Sequence, residues 1–160
     1  SDMSNIKEKF DVAVAVNSIL TTDIAKLNKM ISEIFKILKP GGKLFVIIPS
    51  MECYIYQNML FVDDKLNKEV PQEKAIFQAS KILDHKSFDP FQGIIDFQGD
   101  FQKAFYRFEI KYRFGKAGFR DFKIERVPYI WSRWKEAGQK YFPKEEPPWD
   151  WYFSCTKPSE

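Results

Sequence analysis

The sequence is poor in the residues from which metal and redox sites are built. Its 160 residues include a single histidine, His85, and two cysteines, Cys53 and Cys155, which lie far apart and match no metal-ligand spacing. A histidine-based metal site is therefore not expected. The two thiols are predicted to stay free in a reducing compartment.

Long apolar runs and an excess of one charge are also missing. No apolar run approaches the roughly 20 residues that span a bilayer, and the polar stretch over residues 1–9 is not followed by the apolar core of a signal peptide. The 25 basic and 22 acidic side chains give a net charge of +3 that is spread along the chain. We therefore expect a cytoplasmic protein of one domain, residues 1–160, with neither a membrane nor a nucleic-acid partner.

Glycine is scarce, whereas aromatic residues are abundant. None of the seven glycines belongs to a pair one residue apart at a strand-to-helix turn, the arrangement that lets backbone N–H groups approach a cofactor closely. Aromatic residues make up 17% of the chain, and they are concentrated after residue 88. That concentration is typical of half-exposed aromatic strands or of a lid that faces a substrate.

The first part of the chain predicts a strand, a helix and a second strand. Phe10–Val16 is short and apolar, which is typical of a parallel strand buried on both faces. Asp23 and the threonines before it can cap a helix whose apolar residues recur at three-and-four spacing as far as Leu38. Lys39-Pro40-Gly41-Gly42 ends that helix with a glycine cap, and Leu44–Ile48 is a second buried strand. By the right-handed crossover rule the two strands are parallel neighbours, so the architecture is α/β.

The middle of the chain departs from this alternation. Residues 51–106 show helical spacing over 54–66 and 73–83, and then a hairpin with strands over 94–97 and 101–106. We interpret 51–106 as a helical and hairpin insertion within the domain.

Beyond this segment, the pattern predicts one helix and two strands. The helix covers 109–116 and ends at Ala117-Gly118. The first strand covers 119–127 and is closed by Pro128, and the second covers 149–156 after a loop that contains three prolines.

Four segments of the chain form an ordered set of motifs. They are FDVAVAVNSIL, KILKPGGKLFVIIPS, KAGFRDFKIERV and PWDWYFSCTKP. Taken in this order, they resemble the second half of class I S-adenosylmethionine-dependent methyltransferases over nearly the whole chain. The LKPGGKL turn is the most specific of them, because an amphipathic helix, a glycine pair and an apolar strand coincide there.

The resemblance implies a partial Rossmann-like methyltransferase sheet, built from the equivalents of strands 4, 5, 7 and 6. In that family the final strand inserts, antiparallel, between the fifth and the sixth. The strands near residues 10, 44, 119 and 149 are therefore expected in the spatial order first, second, last, third, with 119–127 at an edge.

The resemblance also shows what the sequence does not contain. The family holds S-adenosylmethionine with a glycine-rich loop after its first strand and an acidic residue after its second strand. Neither feature occurs in this sequence. S-adenosylmethionine is therefore expected as the cofactor of the complete fold, whereas this chain by itself is expected not to bind it with useful affinity.

Candidate ligand-binding residues follow the ends of the two predicted parallel strands. Asn17 and Ser18 follow the first strand, where open α/β sheets bind ligands, and the resemblance places cofactor or substrate atoms near them. Pro49, Ser50 and Tyr54 follow the second strand and are candidates for the substrate side. Each has a structural alternative, since a loop amide can satisfy its own backbone and a serine can start a helix.

Aromatic and acidic residues supply further candidates. Ring faces attract flat or cationic groups, although core filling is the alternative role for such rings. The aromatic candidates are Tyr106, Tyr129, Trp131 and Trp134. Asp84, His85 and Asp89 form a cluster that resembles acid/base chemistry, but no nucleophile accompanies them and a solvated helix end explains them as well. No catalytic residue is assigned.

Two functions of different classes follow. In the first, the parent protein is a methyltransferase, in which in-line transfer depends chiefly on positioning, so that few catalytic residues need show in the sequence. Its methyl acceptor, a small molecule or a protein, is not identified. In the second, the chain is a non-catalytic, methyltransferase-like interaction module. Strand 10–16 has no proline and no inward charge between Val12 and Val16, so its free edge predicts a homodimer with a continuous sheet.

Overall fold

A computed structural model of the chain describes residues 6–82, 88–97, 99–129 and 144–159. These residues form both helices and strands, and β1, α1 and β2 make a parallel strand-helix-strand unit, which confirms the predicted α/β class. The elements are β1 (Phe10–Val16), α1 (Ile24–Ile37), β2 (Leu38–Pro49), α2 (Met51–Leu66), α3 (Gln72–Ile82), β3 (Phe88–Asp89), β4 (Ile94–Phe97), β5 (Asp100–Lys103), α4 (Arg107–Lys116), β6 (Arg120–Pro128) and β7 (Trp149–Thr156).

The main sheet has four strands in the order β1-β2-β7-β6. β1 and β2 are parallel, and β7 runs antiparallel to both β2 and β6. This is the spatial order predicted from the sequence, with β6 at an edge. β3, β4 and β5 form a separate antiparallel sheet.

One face of the main sheet carries the core. Leu44, Val46 and Ile48 of β2 point to this face, and Phe153 pairs with Val46 from the neighbouring strand. α1 and α4 pack against them, and the ring of Phe114 meets Phe153 edge-on at 4.8 Å. The members of the buried cluster on α1 and α4 are Leu27, Ile31, Ile34, Ile110 and Phe114. Burying each large side chain contributes about 1.5–3 kcal/mol, so this face holds the sheet to its helices.

The opposite face of the sheet is open at β1, which corrects the prediction that this strand is buried on both faces. Val12, Val14 and Val16 are 51%, 69% and 56% exposed. Pairing places Phe45 and Ile47 of β2 beside Val14 and Val16 on the same face. We call these five residues the open face. Periodicity could not reveal it, because an apolar strand has the same pattern whether or not a second layer covers it.

The junction between α1 and β2 also differs from the prediction. The helix ends at Ile37 and β2 begins at Leu38, which is paired with Phe10, so there is no glycine cap. Gly41 has a φ of 76°, and it lies within β2. The helix end is held instead by Lys157, whose Nζ donates to the carbonyl oxygens of Phe35 and Leu38 at 3.0 and 2.7 Å.

The segment between β2 and α4 has the predicted helices and hairpin, with shifted ends. α2 begins three residues before the predicted start because Ser50 caps it. The second hairpin strand ends at Lys103 and not at Tyr106, because Phe105 turns to pair beside β2: its N–H donates to Pro49 O at 2.8 Å. No helix among the described residues is both long and apolar enough to cross a bilayer.

Candidate functional site

A cleft of about 430 Å³ lies where the carboxyl ends of β1, β2 and β6 meet the amino end of β7. Ligands of open α/β sheets bind at this edge, and small-molecule sites measure about 300–1,000 Å³. α2 and the β4–β5 hairpin complete the walls. The lining residues are Asn17, Leu20, Pro49, Cys53, Tyr54, Gln57, Gln102, Tyr129, Trp149 and Asp150.

Four residues singled out from the sequence meet in this cleft: Asn17, Pro49, Tyr54 and Tyr129. Asn17 leaves β1 with a φ of 44°, a left-handed conformation that asparagine tolerates better than most residues. Its N–H donates to Ile47 O at 2.9 Å, so the backbone turns away from the sheet only after this residue. Burial of Tyr54 raises the pKa of its hydroxyl, which therefore stays protonated.

Three further candidates lie outside the cleft lining. Ser18 is exposed. Ser50 is 1% exposed, and its Oγ accepts the N–H of Cys53 at 3.1 Å, which is the helix-cap role weighed above. The Tyr106 hydroxyl donates to Pro90 O at 2.7 Å, away from the cleft.

Of the remaining candidates, only Asp89 lies in the described part of the chain. Asp89 caps a turn, because its Oδ1 accepts the N–H groups of Phe91 and Gln92 at 2.9 and 3.0 Å. This supports a structural role for that carboxylate. The candidates outside the described residues are Trp131, Trp134, Asp84 and His85.

Six lining residues were not identified from the sequence. Cys53 and Gln57 are one helical turn apart on α2, and Gln102 comes from the hairpin, so no local pattern joins them to the strand ends. Asp150 did have a signal, because it is an acidic residue between two tryptophans in an otherwise aromatic strand. The others are Leu20 and Trp149.

The strongest electrostatic feature of the cleft is the carboxylate of Asp150. The residue is 6% exposed, and the Tyr129 hydroxyl donates a short hydrogen bond to its Oδ2. Burial raises the pKa of the Asp150 carboxyl, and the bond from Tyr129 opposes that shift. Burial, followed by the bond to Asp150, raises the pKa of the Tyr129 hydroxyl. No lysine or arginine in the described part of the chain forms an ion pair with Asp150.

Cys53 is not a nucleophile in this environment. Burial raises the pKa of its thiol to about 11, and nucleophilic chemistry requires the thiolate. The sulfur accepts the N–H of Trp149 at 3.2 Å and a hydrogen bond from Gln57 Nε2 at 3.1 Å. Its role is to fasten α2 to the start of β7.

Trp149 gives the cleft a rigid aromatic wall. Its ring lies 5.4 Å from that of Tyr56, and the guanidinium of Arg126 stands 4.0 Å above it. Arg126 is also paired with Glu146. These contacts hold the ring in one position.

The described residues show neither a metal-ligand cluster nor a glycine-rich turn at the cleft. They contain no group of three or more histidine, cysteine, aspartate or glutamate residues able to hold a metal. The connections after β1 and β2, at residues 17–23 and 50, contain no glycine, and Gly41 and Gly42 lie toward the opposite end of β2. The close backbone approach that the family uses for its cofactor is therefore not formed by these two connections.

Comparisons with known proteins support the fold. No protein-family model and no curated protein sequence matches the chain. A solved S-adenosylmethionine-dependent methyltransferase from Methanosarcina mazei matches with a TM-score of 0.55 and 16% identity over 100% of this chain and 66% of its own. One from Thermotoga maritima, described as a possible histamine N-methyltransferase, matches with a TM-score of 0.50 and 18% identity over 98% of this chain and 62% of its own. The chain has a class I methyltransferase-like fold, and it spans less than two thirds of these two structures.

Proposed function

We propose that this chain is the C-terminal part of an S-adenosylmethionine-dependent methyltransferase and that its cleft holds the methyl acceptor. The observation that carries the proposal is the position of the cleft, at the carboxyl edge of a methyltransferase-like sheet. Asn17 and Tyr129 directly follow β1 and β6, and Pro49 is the last residue of β2, as an acceptor site at that edge requires. The free, buried thiols support a reducing, cytoplasmic location.

The residues of this chain contribute binding and orientation to the reaction. Methyl transfer in line depends on holding the acceptor atom at the right distance and angle, and rigid walls provide that. Trp149 and Tyr54 form such walls, while the Asp150 carboxylate, positioned by the Tyr129 hydroxyl, holds a polar group of the acceptor.

The cofactor side is proposed to come from a further polypeptide segment. The open face and the free edge of β1 support this, because both are surfaces to which additional strands and helices can be added. About a third of the Methanosarcina mazei structure has no counterpart in this chain, since the match covers 66% of it.

Calorimetry with S-adenosylmethionine tests this proposal in two arms. The 160-residue chain is expected to show no micromolar binding, and such binding would contradict the division of the site. The second arm uses a longer protein in which further residues precede this chain. That longer protein is expected to bind the cofactor and to transfer its methyl group, and failure to bind would overturn the methyltransferase proposal.

A non-catalytic interaction module is the second candidate, and the difference between the two sheet edges favours it. The β6 edge is protected by a bulge near Asp121, by charged side chains and by Pro128, whereas β1 has no such protection between Val12 and Val16. In this candidate, two copies pair through residues 10–16 about a two-fold axis near Val14, giving a continuous sheet.

Light scattering tests whether two copies pair in this way. The unmodified chain is expected to be a dimer, and Val14→Lys is expected to give a folded monomer, because Val14 is 69% exposed within one copy. Glu125→Lys, on the exposed part of the β6 edge, is the control and should leave the dimer intact. A monodisperse monomer of the unmodified chain at high concentration would contradict this candidate.

A further inference from the structure

Asp150 combines three properties that together indicate a ligand. Its carboxylate is buried, it lines the cleft, and its hydrogen bond within the described residues is the one from Tyr129. A buried carboxylate is costly unless a cation or several donors compensate for lost water. A single neutral hydroxyl supplies one donor and no positive charge.

The surroundings of the carboxylate favour one kind of cation. Rings of Tyr54, Tyr129 and Trp149 line the same cleft, and aromatic faces attract organic cations. An anionic ligand would meet the carboxylate at close range and be repelled. A metal ion would need more oxygen, nitrogen or sulfur ligands, and the described residues contain no group that could hold one.

We propose that the cleft binds its ligand through an ammonium group whose counter-ion is the Asp150 carboxylate. The proposal implies that the methyl acceptor is an organic amine. That step rests on the proposed function, in which this cleft is the acceptor pocket. Tyr129 is a positioning residue, because its hydroxyl donates to Oδ2 and so fixes the orientation of the carboxylate. The aromatic walls hold the apolar part of the same molecule.

The test compares two probes that differ in one group, phenethylammonium and the neutral 2-phenylethanol. Binding to the 160-residue chain is followed by the backbone amide NMR signals of Asn17, Tyr54 and Asp150. The ammonium probe is expected to bind about tenfold more tightly, a difference of about 1.4 kcal/mol. Equal affinities, or no binding of either probe, would overturn the proposal without any variant.

Three variants then assign the preference to one carboxylate. Asp150→Asn is expected to reduce the preference for the ammonium probe to less than about twofold. Asp121→Asn, an exposed control on β6, should leave that preference unchanged. Tyr129→Phe removes the hydroxyl that positions the carboxylate and keeps the charge, so the preference should fall but stay above that of Asp150→Asn. If Asp150→Asn keeps the tenfold preference, the proposal is wrong. Should that variant fail to fold, as judged by circular dichroism, the two-probe comparison decides.

The proposed function and this inference can fail separately. The probe measurement contains no cofactor and no methyl transfer. Preference for the ammonium probe, together with a longer protein that binds no S-adenosylmethionine, would retain the amine site and reject the methyltransferase. The reverse result would retain the methyltransferase and reject the amine.

Discussion

Lys103 carries a charge into the interior of the protein. Its side chain is fully buried, and its Nζ donates to Glu109 Oε2 at 2.7 Å and to Ala104 O at 2.8 Å. Glu109 in turn accepts a hydrogen bond from Arg113 Nε at 2.6 Å. Burial lowers the pKa of the Lys103 ammonium, and the pair with Glu109 opposes that shift. The charged form of Lys103 thus depends on a single carboxylate.

Glu109→Gln is expected to lower the free energy of unfolding by about 3 kcal/mol, because the Lys103 ammonium would remain buried without an anion. Glu125→Gln is the matched control, since Glu125 is exposed, and its effect should stay below about 0.5 kcal/mol. Urea denaturation of both variants measures the difference. If the two losses are equal, Lys103 and Glu109 are not a charged pair in the folded state.

The buried thiols set an alkaline limit on stability. Burial raises the pKa of Cys53 from 9.0 to about 11 and that of Cys155 from 9.0 to about 12. At a pH between the unfolded and the folded pKa of a thiol, that thiol is ionised in the unfolded chain and still protonated in the folded chain. The stabilisation is therefore complete below about pH 9 and is lost as the pH rises through the folded pKa values. The raised pKa values of Tyr54 and Tyr129 act in the same direction, and the lowered pKa of Lys103 opposes them.

Unfolding by urea at about pH 8 and about pH 10.5 is expected to show the larger free energy at the lower pH. Cys155→Ala removes one of the two thiols, so the loss between the two pH values should be smaller in that variant than in the unmodified chain. If the unmodified chain is more stable at the higher pH, the buried thiols do not set the alkaline limit of stability.

Single residues of the cleft were predictable where the chain places them at or soon after a strand end, or where the residue is an aromatic candidate. Asn17 follows β1, Pro49 ends β2 and Tyr54 lies five residues later, so finding those strands located them, whereas Tyr129 was identified by its ring. Gln57 and Gln102 reach the same cleft from a helix and a hairpin whose docking depends on long-range contacts, such as Lys103 N–H to Leu20 O at 2.9 Å. No spacing in the sequence encodes that contact.

Strand β1 is an element with two different faces, although its sequence is apolar throughout. Ala15 is 9% exposed on the covered face, and Val14 is 69% exposed on the open face. Val46 of β2, which pairs with Ala15, is 1% exposed. Substitutions to threonine distinguish these environments, because a hydroxyl costs free energy only where water is excluded.

Val46→Thr is expected to lower the free energy of unfolding by about 1–3 kcal/mol, and Val14→Thr to change it by less than about 0.5 kcal/mol. Urea unfolding at low protein concentration gives both values. A cost for Val14→Thr as large as that for Val46→Thr would mean that a layer covers the open face.

At the scale of elements, the sequence predicted the bounds of β1 and β7 to the residue, because each is an apolar run closed by polar or proline-rich segments. The junction of α1 and β2 was mispredicted, since Pro40, Gly41 and Gly42 have the local signature of a helix stop. Their actual position follows from pairing of Leu38 with Phe10 and from the hydrogen bonds between Gly41, Gly42 and Lys157. Such pairing is not a local property.

At the scale of the whole molecule, β7 holds the other parts together. It pairs with β2 on one side and β6 on the other. It also reaches the helices, because the Trp151 Nε1 donates to Glu52 Oε2 at 2.8 Å and the Trp149 N–H donates to the sulfur of Cys53. The sheet, α2 and the cleft all depend on this one strand.

A chain of residues 1–148, which lacks β7, is therefore expected to show no cooperative urea transition and no near-ultraviolet circular dichroism. Removal of β7 takes Phe153 and Cys155 out of the core cluster and exposes the rest of that cluster. The full chain is the control and should unfold cooperatively. Cooperative unfolding of the 1–148 chain would show that β1, β2 and the helices form a stable unit without the central strand.

The place of β7 in the sheet has a consequence for biosynthesis. β1, β2 and β6 are all translated before β7, yet β2 and β6 become joined only through it. Until residues 149–156 have been made, the apolar inner edge of β2, around Val46 and Ile48, has no partner. Nascent chains that wait in this state expose aggregation-prone strands, so recovery of soluble protein from cells should depend on slow synthesis or on chaperones that shield unpaired strands.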